Sequence, residues 1–502
     1  MVQQQRIIED HQYVAINPEY VLKIDGDRPI LYPLDYVNTQ FYFLEPEQGF
    51  ALSLLNGSMP FAQIRQLFSH FFPGAPDDAL AYLIEQVDLL VRRQPTATGI
   101  GLRGVLQIAD TPIAHAITHD PREFVVAPSA YAARMRDTKN KYRLDTPINI
   151  YTVFTHRCQT NCVYCYAERK KVPELPLARW RELIGEMAQL GIKMCSPDNG
   201  DTLARADGVD LLECLIEHDM LFLLSTKAHM GQDAIRRLVD AGFTRPIQGA
   251  IQRPVQLSID AGEDELCMRM LGITKPRLAK MTETFENFLS FGIMPKVKAV
   301  ITGLNYDQPK RIVDHFYPHG ARVFTFVRYH RTFHRHTDSL FVQPEHIPVL
   351  KAQFDAIRAQ YPDVELHEDL TAGSNDITFL APELRQQVWE NRLGCGGGWF
   401  ALGIAPDGSA FLCEQMKLDT PYIVGNAAAQ SIRQIWQGAQ LETFIHPSRE
   451  RFKGTLCYEC EQFEPCIWEK GRCYRDAFFA YGSIYDTPPL CPYNQRPGLR
   501  LS

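Results

Sequence analysis

The sequence contains no apolar run near the ~20 residues needed to cross a bilayer, so no membrane span is expected. Its start, Met1-Val2-Gln3-Gln4-Gln5-Arg6, leads into mixed polar sequence and lacks the apolar stretch of a secretory signal. A cytoplasmic, unprocessed protein is the expectation. Positive charge is not in surplus either: the formal net charge is −7. Nucleic-acid partners call for a basic face that neutralises phosphates, so none is expected. No internal repeat or low-complexity tract stands out. Nor is there an even set of cysteines. The count is 13, and without a secretion signal an odd number is poorly explained by disulfides.

What is present is an ordinary soluble composition, 45% apolar and 22% charged, spread over 502 residues. At roughly 100–200 residues per domain, about three domains are expected. The cysteines are unevenly placed. Three fall within 158–165 and seven between 395 and 491, while Cys195, Cys214 and Cys267 stand alone. Clustering of this kind points to metal, and the lone three read as small buried hydrophobes.

Residues 1–95 read as a winged-helix-like α+β unit. A β-hairpin is expected around Asp25-Gly26, followed by helices over 46–55, 60–72 and 76–93. From pattern alone this is equally a generic protein- or DNA-binding wing. Residues 96–145, beginning near Gln94-Pro95-Thr96, lose periodicity and read as a connecting segment. From 146 to 335 short apolar runs at 148–154, 192–196, 221–225, 255–259, 297–301 and 323–327 alternate with amphipathic stretches. Strands alternating with helices predict parallel βαβ units. The fold class expected is α/β, a partial (β/α)6 TIM-type barrel with its chemistry at the strand C-termini. Residues 336–392 read as a helical bridge. From Leu393 to 502 the chain is rich in Cys and Gly, as in a domain organised by metal centres.

Directly after the first barrel strand comes Cys158-x3-Cys162-x2-Cys165, with Tyr164 before the last cysteine. So short a loop can place three thiolates on three irons of a cubane and leave the fourth iron open. An open position is what a catalytic centre requires. The competing reading is a zinc site completed by His156, although structural zinc sites usually draw ligand pairs from two separated turns.

These residues resemble the signature of the radical S-adenosylmethionine (SAM) enzymes. The resemblance implies a [4Fe–4S] cluster whose open iron is chelated by S-adenosylmethionine, one-electron cleavage of the sulfonium, and a 5′-deoxyadenosyl radical that abstracts hydrogen from substrate. Relatives carry a Gly-Gly-Glu-Pro-like turn after the second strand. The matching stretch here, Ser196-Pro197-Asp198-Asn199-Gly200-Asp201-Thr202, keeps one Gly and an acid. The resemblance thus puts Asn199, Gly200 and Asp201 in contact with the cosubstrate, together with Tyr164, Ser258 and Arg269, and makes Asp260 a candidate catalytic group. A strand-end serine and a solvated helix arginine are the plainer readings of Ser258 and Arg269.

The second cluster runs Cys395, Gly408, Cys413, Cys457-x2-Cys460-x5-Cys466, Cys473 and Cys491. It resembles the SPASM extension, which implies two auxiliary [4Fe–4S] clusters: a distal one on Cys457, Cys460, Cys466 and Cys491, and a proximal one on Cys395, Cys413 and Cys473. The family places three residues between the last two cysteines of the central group, whereas six stand here between Cys466 and Cys473. Two zinc ribbons are the competing reading, with His446 as the only nearby histidine. Glu414 follows Cys413, where sulfatase-maturating relatives carry an acidic base, so it is a candidate general base; a solvated carboxylate is the plainer alternative.

Ahead of such an enzyme, the first unit resembles the PqqD-like leader-binding element of ribosomal-peptide maturases. The resemblance implies a precursor peptide as partner, its leader held by the N-terminal domain, and an electron donor such as flavodoxin or ferredoxin. The expected activity is hydrogen abstraction from the peptide followed by a C–C or thioether cross-link. Backbone excision, epimerisation and dehydrogenation stay open, as does a non-catalytic metal-binding scaffold.

Overall fold

The computed structural model describes residues 8–35, 41–92, 104–114, 116–370, 382–392, 394–416, 418 and 421–496. The readings placed on residues 1–6, on 94–96 and on Leu393 fall outside them. Among the described residues no helix is long and apolar enough to cross a membrane. The chain divides into two compact units, residues 1–145 with 245–252, and residues 146–244 with 253–502.

The first unit carries β1 (Tyr13–Ile16), β2 (Tyr20–Asp25), β3 (Arg28–Pro33), β4 (Tyr42–Phe43), β5 (Asn56–Pro60) and β6 (Leu106–Ala109), with helices Pro46–Ser53, Phe61–Phe71 and Ala79–Arg92. Two antiparallel sheets form, β2-β3-β4 and β5-β1-β6. Asp25 pairs with Arg28, so the hairpin closes on a two-residue turn in which Gly26 takes φ +62°. Leu22, Leu31, Phe50, Ile64, Ile84 and Val87 are among the side chains that fill the core between sheets and helices.

The structure corrects one expectation here. Residues 96–145 are not merely a connector: β6 pairs with all four residues of β1, and a helix spans Pro128–Arg136. Each residue of β6 is half-buried, so no alternation marks the strand in the sequence. The end of the segment is tied down as well. The buried Asp25 carboxylate accepts from the Asp145 amide at 2.9 Å, and Arg28 donates to the Arg143 carbonyl at 2.7 Å.

The second unit carries β7 (Asn149–Thr152), β8 (Met194–Pro197), β9 (Leu224–Thr226), β10 (Val255–Ser258), β11 (Lys296–Ile301), β12 (Val323–Arg328), β13 (Glu365–Glu368), β14 (Ala401–Ile404), β15 (Ser409–Phe411) and β16 (Gly425–Asn426). Strands β7 to β12 lie side by side in chain order and parallel, β8 reaching β9 through the bridge Met194–Leu221. This is the expected partial barrel. Along β11 the buried Val297, Ala299 and Ile301 alternate with half-buried Lys296, Lys298 and Val300. The first set meets helices such as Leu278–Ser290 and Pro309–Phe316, whose Phe285, Phe288, Ile312 and Phe316 are fully buried. The second set faces the other side of the sheet.

Two further parallel strands flank the six. β13 adds to β12, and β14 adds to β7. The stretch 336–392 therefore holds a strand as well as the helix Ile347–Gln360. Glu365-Leu366-His367-Glu368 is too polar to announce itself; its register against β12, with Val323 opposite Glu365, supplies what its composition does not. β14 brings the C-terminal cysteine region onto the barrel edge beside the first cysteine loop.

Candidate active site

The Cys158–Cys165 loop leaves the C-terminal end of β7, where a barrel of this type places its chemistry. Thr160 is buried, and its Oγ1 lies 3.3 Å from both Cys158 Sγ and Cys162 Sγ. Arg169 Nη2 donates to Cys165 Sγ at 3.5 Å. The backbone of the loop is docked on the end of the helix Asp264–Leu271: the amides of Asn161 and Val163 donate to the carbonyls of Leu271 and Met270 at 2.7 and 3.0 Å. Arg335 caps the other side, donating to the carbonyls of Asn161 and Cys162 at 3.0 and 3.2 Å.

Gly272, at φ +60°, ends that helix, and a Cβ there would sit 2.4 Å from the Asn161 carbonyl oxygen. Gly272→Ala combines a disfavoured backbone with a backbone clash, at a cost of about 1–3 kcal/mol. We expect it to lower the iron content per chain after anaerobic reconstitution; wild-type iron loading in this variant would show that the docking does not matter.

The donor set suits a cubane. All three cysteines are free thiols within eight residues of one loop. Burial pushes the Cys162 thiol up and the Lys227 ammonium pulls it back, so a thiolate here wants strong cationic compensation. Among the described residues no three His, Cys, Asp or Glu side chains converge as one ion would require. A cubane has no such requirement, because each thiolate binds its own iron. His156, the residue that a zinc reading would enlist, places Nδ1 2.8 Å from the Lys170 carbonyl oxygen.

Facing the loop is a small ionic network. The Tyr164 hydroxyl donates to the Asp260 carboxylate, and Lys227 Nζ lies 3.4 Å from the same oxygen. The other Asp260 oxygen accepts from the Val300 amide at 3.1 Å. Asp260 is 1% exposed with both oxygens engaged. That geometry ties Asp260 to Tyr164, Lys227 and the Val300 amide. Lys227 was missed by sequence reasoning. It follows β9 directly, so the rule that strand C-termini carry the chemistry would have found it.

The other candidates divide. Asn199 sits at φ +65°, buried, and its Nδ2 donates to the Glu414 carbonyl at 3.1 Å. Gly200 lies so near the first loop that a Cβ would fall 1.9 Å from the Thr155 carbonyl oxygen, which explains why this turn retains its glycine. Asp201 accepts from Thr226 Oγ1 at 2.8 Å and from the Leu203 amide at 3.1 Å, tying the turn to the end of β9. Ser258 ends β10 and is half-buried, two residues before Asp260. Arg269 is exposed, its guanidinium 3.4 Å from the Leu304 carbonyl oxygen. The fold thus gathers the cysteines, Tyr164 and Asp260, and leaves Arg269 on the surface.

In the C-terminal region Cys395, Cys413 and Cys473 all lie near the buried Tyr474, whose phenol is raised by burial first and then by all three. Cys457, Cys460, Cys466 and Cys491 together line an opening of about 380 Å³. Arg392 Nη2 donates to Cys466 Sγ at 3.4 Å. The long interval between Cys466 and Cys473 is taken up by a π-helical turn, Cys466–Lys470, ending on Gly471 at φ +66°. His446 packs its ring against Trp399, the centroids 5.6 Å apart. Cys195, Cys214 and Cys267 are buried at 1%, 1% and 2% exposure, as expected of small hydrophobes.

Between the two cysteine groups lies a carboxylate pair. Burial pushes the Glu414 carboxyl up to about 8, the neighbouring Asp198 adds to the rise, and Arg475 and Lys298 oppose it. Glu414 Oε2 is buried without a hydrogen-bond partner, which no solvated carboxylate would be. Asp198 is raised by burial, with Lys298 opposing. Burial pushes the Tyr166 phenol up, and Glu414, Asp198 and Cys165 add to the rise.

Residues 152–316 match the Radical SAM superfamily, and residues 395–461 match the SPASM iron–sulfur cluster-binding domain. The chain carries a radical SAM domain followed by a SPASM domain. The radical SAM domain takes a [4Fe–4S] cluster with S-adenosylmethionine, which Cys158, Cys162 and Cys165 would hold; the SPASM domain takes auxiliary clusters, for which the two C-terminal groups are the ligands available. The chain is 25% identical to the PqqA peptide cyclase of Methylocella silvestris, over 69% of this chain and 87% of that one. It is 23% identical to the PqqA peptide cyclase of Granulibacter bethesdensis, over 69% and 88%. Among solved structures, Streptococcus suis SuiB bound to precursor peptide SuiA covers 94% of this chain and 98% of its own, with a TM-score of 0.63 at 16% identity. That likeness establishes the fold.

Proposed function

We propose that this radical SAM enzyme modifies a ribosomally made precursor peptide, joining two of its side chains by a C–C or thioether bond. The observation that carries the reading is the link between the two cysteine regions: β14 pairs with β7, and Asn199 of the turn after β8 donates to the carbonyl of Glu414, the residue after Cys413, so a bound chain can meet the radical site and the proximal auxiliary site together. The PqqA peptide cyclases and the peptide-bound SuiB support a peptide as substrate. When bound, the radical cluster with S-adenosylmethionine supplies hydrogen abstraction. The chain's own part is to hold the cysteine loop, to seat the substrate, and to accept a proton at Glu414 as the new bond forms.

The first compact unit supplies the leader site in this reading, its antiparallel edges being able to take an extended peptide as an added strand. The recognition module then runs through residue 145, ahead of the barrel and the cysteine-rich region. Tethering raises the core peptide's effective concentration at the barrel. A low-potential carrier such as flavodoxin or ferredoxin feeds the reaction in the cytoplasm.

The test is anaerobic reconstitution with iron, sulfide, dithionite, S-adenosylmethionine and a short peptide encoded beside the gene. 5′-Deoxyadenosine together with a peptide two hydrogens lighter is the expected result. No 5′-deoxyadenosine defeats the radical reading. Turnover that leaves the peptide unchanged defeats the substrate. Glu414→Gln keeps the shape and removes the base. We expect it to slow cross-linking by about 10²–10⁴-fold while 5′-deoxyadenosine still forms; an unaltered product rate would remove Glu414 from the mechanism.

A further inference from the structure

Resting on the radical SAM reading, we propose that the outer face of the Cys158–Cys165 loop is the docking site for a small acidic electron-carrier protein. An open depression of about 1080 Å³ lies there, and Cys158 is part of its lining. Its charged lining consists of Arg157, Arg169, Lys170 and Lys171 against a single carboxylate, Glu174. That carboxylate is already spent: Arg157 Nη2 holds it at 2.5 Å, and the buried Arg205 approaches it at 3.4 Å. Lys170 and Lys171 are exposed. A face this basic on a chain of net charge −7 is a local reversal of sign, and the depression opens directly at a cysteine of the radical site.

The side from which the depression is reached matters. Its lining includes Cys158, Thr160 and Gly272 but none of Tyr164, Lys227 or Asp260. Those three face the interior where the substrate is handled, so the depression addresses the cysteine loop from elsewhere. Electron transfer falls steeply with distance, which favours a face that a cluster ligand itself reaches. Weak redox encounters use small, charged interfaces, steered by complementary potential. Acidic flavodoxins and ferredoxins have the matching sign. In the encounter one electron leaves the carrier, which is oxidised, and enters the cluster that Cys158, Cys162 and Cys165 would hold, which is reduced; no bond is made or broken. The rival occupant is an acidic stretch of the substrate peptide.

The experiment is the double reversal Lys170→Glu with Lys171→Glu in the reconstituted full chain, probed with a purified acidic flavodoxin. Calorimetric binding at low ionic strength should weaken by about tenfold or more, and salt should weaken the wild type toward the same value. 5′-Deoxyadenosine formation driven by reduced flavodoxin should fall with it, while the dithionite-driven rate and the affinity for the precursor peptide stay at wild type. Unchanged flavodoxin binding overturns the proposal. So does a selective loss of peptide affinity, which gives the face to the substrate, or a matching loss under dithionite, which means the cysteine loop itself was disturbed. If neither protein makes 5′-deoxyadenosine with dithionite, the radical reading fails, and the binding measurement still decides the docking.

Discussion

Replacing Cys162 by alanine will reduce 5′-deoxyadenosine formation to background. Cys162 is 5% exposed and shares the Thr160 hydroxyl with Cys158, while its carbonyl is held by Arg335. The loop around it is therefore built to fix this sulfur, and a short loop with two thiolates does not hold a cubane. The nearest reserve is poor. Cys267 lies in the same apolar cluster, but at 2% exposure its thiol is pushed up to about 12 by burial. Replacing the –SH by hydrogen is a small truncation, on the order of 1 kcal/mol as is typical of single substitutions, so the protein should stay folded. The measurements are iron and sulfide per chain, the spin signal of the reduced protein, and chromatography of the nucleoside. A variant that still cleaves S-adenosylmethionine at a tenth of the wild-type rate would end the assignment of this loop. Cys267→Ala, which should retain full activity, is the control for a general disturbance.

Cys460→Ala is the second large effect, and it should separate two activities. Cys460 belongs to the quartet with Cys457, Cys466 and Cys491, which line one opening. Its carbonyl accepts from Arg449 at 2.9 Å, and Arg449 is itself clamped by Glu464. The expected outcome is survival of part of the 5′-deoxyadenosine with no cross-linked peptide, because radical formation needs the first loop and completion of a two-electron oxidation needs somewhere to send the second electron. Nucleoside formation in the same sample reports that the barrel remains folded. Product at the wild-type level would show that the distal group has no part in turnover. Complete loss of both activities would show that this region is needed to hold the barrel together.

Both predictions rest on the compensation of charge around the cysteines. Lys227 stands within reach of the first loop, and Arg169 donates to Cys165. In the C-terminal region Arg472 is embedded among Cys457, Cys466 and Cys473, and burial lowers its guanidinium while their charges raise it. Cations placed this close to thiols favour the thiolate, the form that binds metal. The placement recurs at each of the three groups.

Much of this was legible in the chain itself. The spacing of Cys158, Cys162 and Cys165 is a local property, set by how far a loop of eight residues can bend, so it could be read without a fold. The same holds for the alternation along β11 and for the Asp25-Gly26 turn signal, since periodicity and turn chemistry act over a few residues. The sequence by itself determined that there are two cysteine clusters, a run of strands alternating with helices, and a cysteine-rich end.

Other features required the tertiary structure, because they depend on residues far apart in the chain. β6 and β13 carry no pattern of their own and exist because β1 and β12 offer them an edge. The contacts of Asp260 emerge only when Tyr164, Lys227 and Val300 close on it from three other segments. Glu414 acquires its raised carboxyl from burial first and then from Asp198, which another strand of the same sheet brings beside it. Spacing fixed which atoms can share a cluster; burial and neighbouring charge, which only packing provides, decided what each carboxylate and lysine does there.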